Sequence, residues 1–298
     1  MMGAALGAIS VAGAAIAGYS HWIEPFRIAR IHRTICAAGL TRPIRLLHLS
    51  DFHLRRGLDK KVSLVRAALP RDGIDLVLLG GDFLDRMHGL PLLGDILSQI
   101  KQLQPPLGIY AVKGNHEVFD YGVYHLFNGK VTQGYAKDCS PLFDLFASLN
   151  IPFLDNTFVE LPGSGSYLIG VHDYFTGRGD AAVAFAGLPD GGFRILLSHS
   201  PAVLPDLAGH HADVVFAGHT HGGQFRLPLI GAIASRSPLP DWQIRGCYQI
   251  GSTVVSMSNG LGEGKLFPFR FRCPPQIITV DLTPGAATML TATTSSSS

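Results

Sequence analysis

"DLVLLGGDFLD" (75–85) carries four apolar residues into two glycines and then two carboxylates three positions apart. A short apolar run bounded by turn residues reads as a strand buried on both faces. The acidic end reads as a loop leaving the sheet. The same form recurs in "IRLLHLSDFH" (44–53), "LGIYAVKGNHE" (107–117), "FRILLSHS" (193–200) and "ADVVFAGHTHGG" (212–223). Helical patterns are expected near 58–69, 90–103 and 139–149. Further strands are expected at 151–155, 157–161, 166–171, 246–257 and 276–282. Strands alternating with helices indicate an α/β (α+β) chain. Sites in open α/β sheets collect outside the carboxyl ends of strands, so five polar strand ends predict one site built from five loops. No period of a repeat protein is present.

The ends supply Asp51 and His53, Asp82 and Asp85, Asn115 and His116, His199, and His219 with His221. Each fragment alone is weak, since a lone histidine is more often a satisfied structural residue. Together they make a set of oxygen and nitrogen donors suited to manganese, iron or zinc rather than calcium. The lack of thiolates in the set argues against a purely structural zinc site. At an extended strand end, His219 and His221 share one face. Gly218, Gly222 and Gly223 let the backbone pass close to ions.

In order, these blocks are D-x-H, G-D-x-x-D, G-N-H-E, a lone His and G-H-x-H. The sequence resembles the calcineurin-like metallophosphoesterase superfamily over roughly residues 44–282. The resemblance implies an αββα sandwich, two packed sheets flanked by helices, with two divalent metal ions at the sheet edges. It implies Asp51, His53 and His221 on one ion, Asn115, His199 and His219 on the other, and Asp82 bridging. Two such cations lower the pKa of a shared water, so that a bridging hydroxide exists near neutral pH. By the same resemblance His116 protonates the leaving group or steadies phosphoryl oxygens, and Asp85 pairs with that histidine and raises its pKa. The alternative for Asp85 is an acid facing a helix N-terminus. Arg86 completes "GDFLDR" as a candidate phosphate ligand, although Met87 stands where related phosphatases carry glycine.

Outside the core pattern, residues 1–23 hold no Asp, Glu, Lys or Arg, and Arg27, Arg30, Arg33, Arg42 and Arg45 follow. An apolar membrane anchor is expected there, with the positive-inside rule placing the catalytic domain (44–283) on the cytoplasmic side of the inner membrane. Export through a cleaved signal peptide is the alternative, though no basic n-region precedes the run. Residues 24–43 read as a connector that could be amphipathic helix or strand. Residues 284–298, ending "TATTSSSS", read as a disordered tail. The chain is 47% hydrophobic and 15% charged with a net charge of +2, a balance with no nucleic-acid footprint. Cys36, Cys139, Cys247 and Cys273 form no C-x-x-C pair.

"GHTHGGQ" followed by "RLP", "EP" at Glu24–Pro25, "IGVHDYF" (169–175) and "NGLGEGKLFPFRFRCPPQIITVDL" (259–282) resemble a membrane-associated bacterial branch of the superfamily. That branch holds general phosphodiesterases and UDP-2,3-diacylglucosamine pyrophosphatases of lipid A biosynthesis, which release UMP. The resemblance therefore implies a phosphorylated small molecule or lipid-linked nucleotide as partner, with the membrane beside it. Pyrophosphatase activity is the first expectation and a general phosphodiesterase or phosphomonoesterase the second. A non-catalytic scaffold is disfavoured because every ligand position is filled. A serine hydrolase is disfavoured because no G-x-S-x-G elbow occurs.

Overall fold

The structure, a computed structural model, describes residues 2–120, 135–233, 237, 239–264, 267–285 and 288–296. The chain opens with helix α1 (Met2–Trp22) and a short turn of 3-10 helix at Glu24–Phe26, then enters β1 (Ala29–Ala37) and β2 (Ile44–Leu49). α2 (Asp59–Ala68), β3 (Leu76–Leu79), α3 (Leu90–Lys101) and β4 (Ile109–Ala111) follow. A minimal pair, β5 (Phe119–Asp120) with β6 (Tyr135–Ala136), precedes α4 (Ser140–Ser148). The second half runs β7 (Thr157–Leu161), β8 (Ser166–Gly170), α5 (Ala181–Phe185), β9 (Phe193–Leu197) and β10 (Val214–Ala217). A small hairpin of β11 (Arg226–Leu227) and β12 (Gly231–Ala232) leads to β13 (Gly246–Ile250), β14 (Thr253–Met257), β15 (Gln276–Pro284) and β16 (Thr288–Ser296).

Two six-stranded sheets result, in the orders β16-β1-β15-β2-β3-β4 and β13-β14-β10-β9-β8-β7. β2, β3 and β4 are parallel, as are β8, β9, β10 and β14, so the polar ends read from the sequence emerge together. Both faces of these strands are buried. Leu46 and Leu78 of one sheet share a core with Leu197 and Phe216 of the other. The outer face of the first sheet meets α2, α3 and α4, and that of the second meets α5 and the 3-10 segment Pro201–Gly209. α3 shows why: Leu93, Ile96, Leu97 and Ile100 recur at helical spacing and are all buried, and Pro91 sits in its first turn, where no N–H is needed. The layers are those of an αββα sandwich.

Several expectations change. The connector resolves as strand: β1 turns Ala29, Ile31, Arg33, Ile35 and Ala37 inward at period two and pairs parallel with β15. Residues 284–298 were expected to be a disordered tail; they carry β16 instead, antiparallel to β1, because β1 otherwise presents an open edge of unpaired backbone. Residues 151–155 make only one bridge, Ala111 with Phe153, rather than a strand. The expected anchor is a helix, but no helix among the described residues is long and apolar enough to cross a membrane. Alanine and glycine dominate α1 and contribute little hydrophobicity.

The inter-sheet core also holds two basic residues, Arg33 and His48. Arg33 donates to Ser256 Oγ and, at 3.0 Å, to Met257 O. The fully buried His48 ring stands 5.4 Å from that of Phe216, and neither ring nitrogen has a hydrogen-bond partner among the described residues. Burial, with Arg33 adding, pushes its pKa down to about 3. The unfolded ring gains a proton as pH falls through about 6.5, while the folded ring resists until about 3, so stability drains away across that window. His48→Leu removes the penalty. Urea unfolding at pH 7 and pH 4.5 should show the wild type losing about 2 kcal/mol more than the variant between the two.

Candidate metal centre

β2, β3 and β4 deliver Asp51, His53, Asp82, Asp85, Asn115 and His116, and β9 and β10 deliver His199, His219 and His221. The backbone turns sharply where they emerge. Asp51, His53, Asp82, His219 and His221 all have φ between 46° and 67°, the left-handed region that costs a non-glycine residue about 1–2 kcal/mol. This corrects the extended-strand reading of His219 and His221: β10 ends at Ala217, and left-handed turns bring the two rings round. Cross-links fix the turns. His53 N donates to Asp82 O (2.9 Å), Asp51 N to Gly81 O (3.0 Å), and His219 N crosses the sheets to Asp51 Oδ1 (2.9 Å). A Cβ on Gly218 would lie 2.2 Å from Asp51 Oδ2, so close approach, not turn geometry, demands glycine there.

The ligand atoms gather in two adjoining groups. His53 Nε2 lies 3.0 Å from His221 Nε2, which lies 3.6 Å from Asp51 Oδ1. His199 Nε2 lies 3.1 Å from His219 Nδ1, and both lie within 3.2 Å of Asn115 Oδ1. Asp82 Oδ2 stands between them, 3.5 Å from His53 Nε2 and 3.4 Å from His199 Nε2. Ligand atoms about 2.0–2.2 Å from an ion sit roughly 3.0–3.5 Å apart, so these separations fit two cations. Asp51, His53 and His221 form one set that could hold an ion, and Asp82, His199 and His219 another. His53, Asp82 and His116 also converge.

The surrounding bonds set the tautomers. His53 Nδ1 donates to Asp85 Oδ1 (2.8 Å) and His199 Nδ1 donates to Gly80 O (2.7 Å), so each ring turns Nε2, the nitrogen that would bind an ion, to the centre. Asp85 lies 3.5 Å from His116 Nδ1 and receives Arg55 on its other oxygen at 3.1 Å. Its shorter contact is thus with His53 rather than with His116, and it directly precedes Arg86, the N-cap of the 3-10 turn Met87–Gly89. Burial would raise the Asp82 pKa, but His199 and His116 outweigh it and hold the carboxyl well below its ordinary value. Burial likewise opposes a charge on His199, and the Asp82 carboxylate overrides it, raising that ring well above its ordinary value. Burial lowers His116 to about 4, with His53 adding to the effect. His221 is pushed well below its ordinary value by burial, His53 and Arg270.

Arg86, the candidate phosphate ligand, is exposed and paired with Asp120. Three residues outside the expected donor set surround it. Glu117, the acid of "GNHE", accepts the N–H groups of Asp82 (2.7 Å), Phe83 (2.9 Å) and Gly114 (2.9 Å), clasping two ligand loops. Asp173 of "IGVHDYF" is buried, its Oδ1 has no hydrogen-bond partner among the described residues, and burial raises its pKa to about 6 beside His199 and Asp82. Arg270 is fully buried, donates to Glu263 (2.6 Å) and to the Gly262 carbonyl (2.7 Å), and backs His221 Nδ1 at 3.5 Å. The motif spelling marks Glu117; nothing local in the sequence marks the other two.

Comparison with known proteins adds a family and relatives. Residues 44–223 match the calcineurin-like phosphoesterase family. The chain is 28% identical to a phosphodiesterase, YaeI, of Escherichia coli over 89% of this chain and 92% of the relative. It is 26% identical to YkuE, an uncharacterised metallophosphoesterase of Bacillus subtilis, over 93% of each. It is 27% identical to the UDP-2,3-diacylglucosamine pyrophosphatase LpxG of Chlamydia trachomatis over 86% of each.

Removing Asp85 tests the support it gives to His53. Asp85→Ala should weaken manganese binding at one of two sites by about 10–100-fold, with the other unchanged, in a calorimetric titration of the metal-free protein. Equal weakening of both sites would assign Asp85 to the whole centre.

Proposed function

We propose, because the chain belongs to the calcineurin-like phosphoesterase family, that it is a dinuclear-metal phosphohydrolase that cleaves the diphosphate of a lipid-linked nucleotide of the UDP-2,3-diacylglucosamine kind and releases UMP. The observation that carries the hydrolase reading is Asp82 Oδ2 facing the free nitrogens of both His53 and His199, between two sets of donors. The resemblance to LpxG along most of both chains supports the lipid-linked substrate. When bound, two divalent cations, manganese, iron or zinc, supply an acidified water and positive charge for phosphoryl oxygens.

The protein's own groups do the rest. Asp82 Oδ1 is fixed by the His116 N–H at 2.8 Å, so Oδ2 stays aimed at the centre. Near neutral pH the His116 ring is uncharged and enters as an N–H donor to a phosphoryl or leaving oxygen. Lys137 holds the His116 carbonyl at 2.8 Å and so positions that ring. Burial of Asp51, His53, Asp82, Asn115, His116 and His199, with His221 half-buried, limits access of bulk water and strengthens these contacts. We place the catalytic domain at the cytoplasmic face of the inner membrane, from the arginines that follow α1. The relationship to YaeI favours a second reading, a general phosphodiesterase.

Metal-loaded enzyme should release UMP from UDP-2,3-diacylglucosamine faster than it cleaves simple diesters such as bis(p-nitrophenyl) phosphate. Diester cleavage without UMP would leave the general phosphodiesterase. Asp82→Ala should abolish turnover and reduce bound metal, measured by atomic emission. His116→Ala should lower turnover about 10²–10⁴-fold with metal content unchanged; loss of metal would make His116 a ligand.

A further inference from the structure

We propose that the side of the molecule formed by the end of α1, the β11–β12 hairpin and residues 267–274 docks on an anionic phospholipid bilayer, with headgroup phosphates taken between Arg27 and Arg272. This deepens the lipid-substrate reading above and rests on it.

The three segments form one continuous surface. Arg270 N donates to Ser20 O at 2.8 Å, and His21 Nδ1 donates to Pro268 O at 3.2 Å. The His21 ring lies 5.1 Å from that of Phe269, and Tyr19 lies 6.2 Å from Phe271. Gln224 ties the same stretch to the hairpin through Phe269 O (2.9 Å), and Phe225 stands 5.3 Å from Phe271.

This surface exposes large apolar side chains. Trp22 is 70% exposed and Trp242 58%, and Phe267, Leu229, Ile230 and Ile233 join them. Asp241, next to Trp242, is tied to Arg226 and to Ala232 N (2.9 Å), and the Trp242 ring stands 5.3 Å from that of Tyr248. Contiguous apolar patches mark interaction sites, and tryptophan favours the boundary between hydrocarbon and water. α1, uncharged along its whole length, leads into the patch.

Charge selects the occupant. A cavity of about 560 Å³ opens between the 3-10 turn after α1 and residues 271–274, walled by Tyr19, Phe271 and Pro274. Arg27 and Arg272 line it, and neither is in an ion pair among the described residues. Its one acid, Glu24, is engaged by the backbone N–H groups of Arg272 (2.9 Å) and Cys273. Apolar walls with guanidinium groups suit a phosphate-bearing amphiphile. A second copy of the chain would bring the same two cations against each other. The metal centre borders this face, since Cys273 Sγ donates to His221 O at 3.1 Å. A lipid-linked diphosphate could thus reach the centre while its acyl chains stay in the bilayer.

The chain has two tryptophans, both exposed: Trp22 at the end of α1, and Trp242 next to Asp241, which is bonded to the hairpin. Adding phosphatidylcholine vesicles containing phosphatidylglycerol to the full chain should shift tryptophan emission to the blue, and brominated acyl chains should quench it. Trp22→Phe leaves Trp242, which is outside α1, and the shift should persist. Arg27→Gln with Arg272→Gln should weaken binding to anionic vesicles at least tenfold while hydrolysis of a soluble diester is unchanged. No shift in any vesicle, loss of the shift in Trp22→Phe, or a shift that grows with protein concentration without lipid would each overturn the proposal. Docking without UMP release keeps the surface and removes the substrate reading. UMP release from detergent-dispersed substrate without docking does the reverse.

Discussion

The carboxylate of Asp82 is the contact on which the centre depends. One oxygen is held by the His116 N–H and the other faces His53 and His199 from opposite loops. Its own N–H is taken by Glu117. A buried carboxylate without such partners would be strongly disfavoured, because desolvation of an unpaired charge costs several kcal/mol. Asp82 is therefore a joint between two ligand sets as well as a donor. Its loop is fixed by a neighbour of the histidine that it fixes in turn.

That joint works only because two sheets present the carboxyl ends of their parallel strands at one edge. The apolar side chains between the sheets hold the ends in place. Five ligand residues can then occupy left-handed backbone, each strained, while cross-sheet bonds such as His219 N to Asp51 Oδ1 keep them there. Further out, Asp85, Gly80 and Arg270 decide which ring nitrogen points inward or what stands behind it. The same Arg270 stretch receives the end of α1, so the centre and the exposed apolar face share a support.

Strand type, helix positions and the donor set were legible in the sequence. Each is written locally: apolar runs of four to six residues, apolar spacing in α3, and polar residues at the strand ends. The motif order carried the resemblance, and with it the expected assignment of donors to two ions; the structure brings those donors together. The edge of the first sheet was not legible. Arg and Thr alternating with Ile in 29–37 satisfy helix and strand patterns alike, and the Ser- and Thr-rich C-terminal stretch shows no apolar face until β1 offers an unpaired edge.

The sequence by itself determined which atoms are available to bind cations and that they leave the sheets at strand ends, because ligand chemistry and strand pattern are properties of single residues and short runs. Only the tertiary structure decided which donor atoms converge, that Asp85 sides with His53, that Glu117, Asp173 and Arg270 surround the donors, and that Arg27 and Arg272 line one cavity. Those facts depend on distances between residues up to about 250 positions apart in the chain, which packing sets and local pattern does not encode.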